Sequence, residues 1–331
     1  DDVLPTFKKM EHYEHGSNEL RSQGGPLRVS EATDEGPLYD AIREAANELG
    51  IPHNPDYNGA SQEGIVRTQT TISNGVRMST ARCYLKPIEK RKNLRIETGA
   101  HTQRVVIEGS KCTGIEYKNN GKLVRAKASK EVIICTGGVA SPQLMELSGI
   151  GQPDLLKSHG IEVKHELTGV GEHLRDHINA PIKFHMKRGD LSYNKRMQGL
   201  GPAWQVLRYV FQKRGFMSLP SAPMLAFLRT RDDMETPDVQ MHIVPYAVKN
   251  YKKRLLHDFP GITMAVYQLR PESLGSIHIQ SPLASEQPAI NFNFLSDQID
   301  RDAMLGGVKK IRQIMDTEAM KKVRGDEFLP G

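Results

Sequence analysis

Gly137 and Gly138 stand one residue beyond the unbroken apolar run Val132-Ile133-Ile134-Cys135, with Thr136 at the junction. The run has the texture of a strand buried on both faces in a parallel sheet. Two glycines at its end let the backbone turn sharply and let another group approach where a Cβ would collide. Ser141 then reads as the N-cap of a short helix whose first position is Pro142, where a missing N–H costs nothing. Gly149 sits where a left-handed C-terminal cap is wanted. A crossing of this kind at the carboxyl end of a parallel strand is where open α/β sheets bind ligands, although a glycine turn alone also serves as a corner that merely saves space.

Other residues could do chemistry but lack a partner at the right spacing. Asp176-His177 would suit proton transfer, yet sequence neighbours rarely face one target, and a tie across a loop between domains accounts for them better. His242 and His278 fall on the polar faces of alternating strands, where they face a substrate cavity, solvent or a neighbouring helix. Gly169-Val170-Gly171 follows no buried strand, which excludes it as a phosphate loop. Cys83, Cys112 and Cys135 are odd in number and lack metal or redox spacing. Cys135 is expected as a small buried hydrophobe, and a reducing compartment fits the set. Gly-x-Ser-x-Gly, Walker and His-Glu-x-x-His patterns are absent, so hydrolase, nucleotidase and zinc-protease chemistry lacks its minimum parts.

The elements that must position these residues are legible from periodicity. A helix is expected near the start of the chain, before Gly24-Gly25-Pro26 turns into the extended Leu27-Arg28-Val29. Leu38, Ala41, Ile42, Ala45 and Leu49 keep helical spacing with Gly50 as the stop. Leu94–Thr98, Arg104–Glu108 and Gly114–Lys118 read as strands, and Asn119-Asn120-Gly121 signals a hairpin into Lys122–Ala126. Beyond residue 179 the spacing predicts a helix over Pro202–Gly215 with an apolar stripe of Val206, Leu207, Val210 and Phe211. Strands follow at Val239–Val244, Ile262–Arg270 and Ser276–Gln280, and a long helix at Asp300–Val323. The 331 residues suffice for two domains. The net charge of +6 is scattered in loop clusters such as Lys249 to Arg254, without a nucleic-acid-binding pattern. No apolar run approaches the roughly 18 residues of a membrane span.

The string from Gly138 to Gly151, with Ser141-Pro142, Ser148-Gly149-Ile150-Gly151 and then Gly169-Val170-Gly171 to Asp176-His177, resembles the second signature of the glucose-methanol-choline (GMC) oxidoreductases. Val139 replaces its Ala, Met145 a Leu and His173 an Asn, with no glycine lost. Asp56-Tyr57-Asn58-Gly59, Gln62, Gln69-Thr70, Arg77, Ser79 and Tyr84-Leu85-Lys86-Pro87 fall in register with a further family string. Within the family, the texture is similar to the choline dehydrogenase and bacterial alcohol dehydrogenase branch.

The resemblance implies a mixed α/β fold. Residues 1–178 would form part of a Rossmann-like FAD-binding domain, and 179–331 a substrate region with an antiparallel sheet backed by helices. It implies FAD as cofactor and hydride transfer from a primary alcohol, choline-like or simple, with electrons passing to a quinone-like acceptor or oxygen. It points to Thr102, through its backbone, and to Thr136 and Gly137 as cofactor contacts. The family's N-terminal glycine loop and C-terminal catalytic His have no counterpart in these residues, so the chain is expected to be a truncated piece, inactive alone, with no catalytic residue to name. A cytoplasmic site, at most peripheral to the inner membrane, is expected, with any targeting segment upstream. Two other readings stay open at this point: an inert or partner-binding piece of such a fold, and a nicotinamide-dependent dehydrogenase.

Overall fold

A computed structural model describes residues 2–331. The chain forms two compact units, each assembled from separated stretches. One comprises the residues up to Arg91 with His177–Arg270 and Arg301–Gly331; the other comprises Lys92–Asp176 with Pro271–Asp300. The chain passes between units at Asp176-His177, close to the border expected from the sequence, but compactness does not follow a split into 1–178 and 179–331. The reason is strand pairing. Gly64–Arg67 is an edge strand of a sheet built otherwise from the second half of the chain, with Met224 opposite Arg67 and Phe227 opposite Gly64.

That sheet has six antiparallel strands, in the order Arg324–Leu329, Asn179–Met186, Gly261–Gln268, Val239–Val244, Met224–Leu228 and Gly64–Arg67. Its register sets the two faces apart. Val239, Met241 and Ile243 are fully buried, whereas Gln240, His242 and Val244 between them are half-buried. The buried face receives the Gln298–Met315 helix closely enough that a Cβ at Gly307 would lie 2.5 Å from Val266 Cγ2. Gly307→Leu is therefore expected to cost about 2–3 kcal/mol, read as a lowered urea midpoint at unchanged slope, because the helix must lift off the sheet.

The long closing helix expected from the sequence is two helices, Gln298–Met315 and Glu318–Val323. Thr317 adopts extended backbone and its side chain accepts from Met320 N, starting a new helix rather than continuing the old one. The Glu48 carboxylate, at the end of the Pro37–Glu48 helix, accepts from the N–H groups of Glu318 and Ala319 at 2.9 and 2.8 Å. The helix read at 202–215 spans Gly201–Gln212, and its apolar stripe faces outward: Leu207, Val210 and Phe211 are exposed.

In the second unit, His101–Glu108, Lys111–Asn119 and Lys122–Lys127 form an antiparallel meander. Asn120 and Gly121 take the positive φ angles of 50° and 77° that the tight hairpin requires. The Gly137–Leu147 helix packs on the first of these strands, where Val105 N donates to Ser148 Oγ at 2.8 Å. Gly149 then leaves the helix at φ 86°. A second sheet places Gly275–His278 between Glu172–Leu174 and Ala289–Asn291. The strand read at Ser276–Gln280 thus belongs to this unit and not to the six-stranded sheet.

Three expectations fail here. Leu94–Thr98 is in no sheet. Neither is Val132–Cys135, where Ile133 is 74% exposed and the Cys135 thiol lies at the surface rather than in a core. An apolar run becomes a buried strand only when neighbours pair with its backbone and cover its faces, and among the described residues none does. The helix after it starts at Gly137, not Pro142, so Pro142 lies inside it and the Gly138 carbonyl loses its helical donor.

Candidate functional site

Thr136 and Gly137 form an open bend. Gly137 has φ 83°, and a Cβ built at Gly137 or Gly138 would meet nothing within 4 Å. The Thr136 hydroxyl lies 3.0 Å from the Ser141 hydroxyl, which ties the bend to the following turn of helix instead of capping a helix at Pro142. The first N–H groups of a helix have no intrahelical acceptor, so this bend presents donors in open space. Thr102 is half-buried on the meander strand that packs against the same helix, opposite Tyr117. The three residues expected at the cofactor thus lie in one unit, on two elements in contact.

Near the other end of the same helix is a carboxylate that sequence reasoning missed. Glu146, fully buried, lies 2.7 Å from His278 Nδ1 and accepts from Ile279 N at 2.8 Å. His278 Nε2 in turn lies 3.1 Å from Glu172, which also accepts from Gln152 Nε2 at 2.6 Å. Of the surroundings open to His278, the structure gives it the neighbouring helix. Its role is to bind the Gly137–Leu147 helix to the second sheet, and an acidic residue in the otherwise apolar stretch Leu144 to Leu147 was the available signal.

The first unit gathers the residues of the other family-like string. Arg21, 3% exposed, donates from Nε and Nη2 to Glu11 at 3.1 and 2.6 Å and from Nη1 to Asp56 at 2.6 Å and Gln69 at 2.9 Å. Its guanidinium also lies 3.8 Å from the centre of the Tyr13 ring. Burial opposes the charge, but the bonds and charge of Glu11 and the nearby Asp56 outweigh it and raise the Arg21 pKa. Asn58 Nδ2 donates to Gln69, and Asn58 N to Asp56, so Asp56, Asn58 and Gln69 share one network. Arg21, Asn58 and Gln69 border a cleft of about 570 Å³ whose wall includes Phe7, Leu27, Tyr57 and Thr70. Arg77, the remaining charge of that string, is exposed.

His242 stands on the half-buried face of the six-stranded sheet. Its Nδ1 lies 3.2 Å from the Tyr267 hydroxyl and its Nε2 2.9 Å from Gln240 Nε2. Burial lowers its pKa below the ordinary histidine value, which favours the neutral ring. Phe227 and Leu225 lie opposite Gln240 and His242 in the neighbouring strand, and Tyr57 stacks on Phe227 with ring centres 5.0 Å apart. This face therefore carries a half-buried polar cluster bordered by the buried side chains of Leu225 and Phe227. Asp176 and His177 straddle the passage between units. Among the described residues no group of His, Cys, Asp and Glu could hold a metal ion, and no helix is long and apolar enough to cross a membrane.

Comparison with known proteins bears on the family and the fold. A family model described as GMC oxidoreductase matches residues 1–179, and a second of the same description matches 271–331. The chain is 33% identical over 332 residues to the oxygen-dependent choline dehydrogenase of Photobacterium profundum, covering 100% of this chain and 58% of that protein. It is 35% identical over 334 residues to the enzyme of the same name from Brucella anthropi, covering 100% and 60%. The chain therefore spans about three fifths of the length of these relatives. In fold it is similar to pyridoxine 4-oxidase from Mesorbium loti (TM-score 0.85, 23% identity, 100% of this chain and 61% of that one). It is likewise similar to a formate oxidase variant from Aspergillus oryzae (TM-score 0.88, 22% identity, 99% and 63%). With family matches at both ends and identity maintained along its whole length, this chain belongs to the GMC oxidoreductase family, whose cofactor is FAD.

Proposed function

We propose that this chain forms part of an enzyme that oxidises a primary alcohol, choline-like or simple, and passes the electrons to a quinone-like acceptor or oxygen. FAD, when bound, supplies the hydride acceptor. In this reading residues 1–178 serve the flavin and 179–331 the substrate. Thr136 and Gly137 offer backbone donors at the open bend, and Thr102 meets the adenine end through its backbone. The observation that carries the assignment is the open space over Gly137 and Gly138 at the start of an 11-residue helix, where the first backbone N–H groups are left uncovered. The half-buried patch of His242, Gln240 and Tyr267 forms one wall of the substrate side and orients the alcohol; no base for its proton is assigned to these residues. Membership of a flavin family displaces the nicotinamide reading.

The test is to express the 331 residues alone and with whatever sequence flanks them in their reading frame, then measure bound flavin and screen choline and simple primary alcohols with a dye acceptor. The extended protein is expected to purify yellow and reduce the dye; the shorter chain alone is expected to do neither. Gly137→Val in the extended protein is expected to weaken flavin retention about tenfold and to cost the flavin-free protein about 1–2 kcal/mol, since a β-branched side chain resists the positive φ and also occupies the approach. An extended protein that binds NAD and no flavin, or a Gly137→Val variant with full flavin, overturns the reading.

A further inference from the structure

Leu200, Trp204, Leu207 and Phe211 succeed one another at three- and four-residue steps, and so share one side of the Gly201–Gln212 helix. All are exposed, Leu200 by 87% and Phe211 by 79%, and Val210 on the same helix is exposed as well. The inward side of this helix is polar: Gln205 is its buried residue, and its Oε1 accepts from Phe216 N at 3.1 Å. An amphipathic helix ordinarily turns its apolar side to the core; this one turns it to the outside. The surrounding sequence has one sign of charge. No Asp or Glu occurs from Leu191 to Arg231, whereas Lys195 and Arg196 precede the helix and Lys213 and Arg214 follow it. Lys195 bonds to Gln198, Arg196 to the Asp190 carbonyl, and Lys213 lies over the Tyr209 ring. Among the described residues none of these four cations forms a salt bridge.

We propose that this helix docks in the headgroup layer of an anionic lipid surface, with its apolar side down and its two basic ends on lipid phosphates. Trp and Phe on the apolar side, cationic flanks and a length too short to span are the combination that holds a helix in the plane of an interface. A second copy of the chain fits less well. Both ends of the helix are positive, so parallel and antiparallel pairs alike set cation against cation.

Trp204 is the sole tryptophan of the chain, so its emission reports on this patch alone. With vesicles of equal parts phosphatidylcholine and phosphatidylglycerol, the emission is expected to move to shorter wavelength and to be quenched by lipids brominated on their tails; vesicles of phosphatidylcholine alone should produce neither change. Phe211→Asp, and separately the pair Lys213→Glu with Arg214→Glu, should each lower partitioning about tenfold without moving the melting temperature, since these side chains are exposed. Unchanged emission with anionic vesicles overturns the proposal, as does undiminished binding by the charge-reversed pair. So does a Trp204 already shielded from acrylamide without lipid, which means that protein covers the face. A shift without lipid that grows with protein concentration overturns it in favour of a second copy.

Discussion

Arg21→Met is expected to lower the stability of the first unit by about 3–5 kcal/mol, the cost of breaking a buried ion pair by removing one partner. The guanidinium holds Glu11 through two bonds and Asp56 through one, and both carboxylates are themselves largely covered. Methionine fills much of the same volume but leaves the two negative groups facing each other with little access to water. The effect extends beyond stability, because Asp56 and Gln69 position the Tyr57-Asn58 turn through the same network. Urea unfolding of the variant measures the loss. Adding Glu11→Gln to Arg21→Met should restore about 1–2 kcal/mol by removing one of the stranded charges. A loss below about 1 kcal/mol for the single variant would mean that Arg21 is solvated in solution and not the hub of this cluster.

Glu146→Leu is expected to cost about 2–4 kcal/mol, with a sharp distinction from the conservative change. Leucine leaves Ile279 N without an acceptor and His278 Nδ1 without a partner in a buried place, each worth about 1–3 kcal/mol. Glutamine keeps an oxygen for Ile279 N and puts an amide donor beside the imidazole, so Glu146→Gln should cost less than about 1.5 kcal/mol. Hydrogen exchange separates the two: the Ile279 amide is expected to lose protection in the leucine variant and retain it in the glutamine one. Equal losses in both variants would show that the site senses only side-chain volume. The Gly137–Leu147 helix is held at its far end by this carboxylate, so loosening it should also disturb the open bend at Thr136 and Gly137.

What could be read from the residues alone is what short stretches of backbone decide for themselves. The Asn119 to Gly121 turn forms because Asn and Gly tolerate positive φ, and the helices beginning at Pro37 and Gly201 form because their apolar positions keep a period near 3.6. The ordered string around Ser141-Pro142 and Gly149-Ile150-Gly151 also carried the family, through the order of its residues, although the cap read at Ser141 does not form. Tertiary structure decided which face of each element is covered, and by what. The 201–212 helix has the pattern of a core helix and yet shows its apolar side to the outside. Val132–Cys135 has the pattern of a buried strand and yet joins no sheet. Arg21, Glu146 and His278 give little local sign of their partners, which lie 10 to 133 residues away in the chain. Periodicity states that an element has an apolar side; burial is a relation between elements, and it comes into being only when segments distant in sequence are brought together.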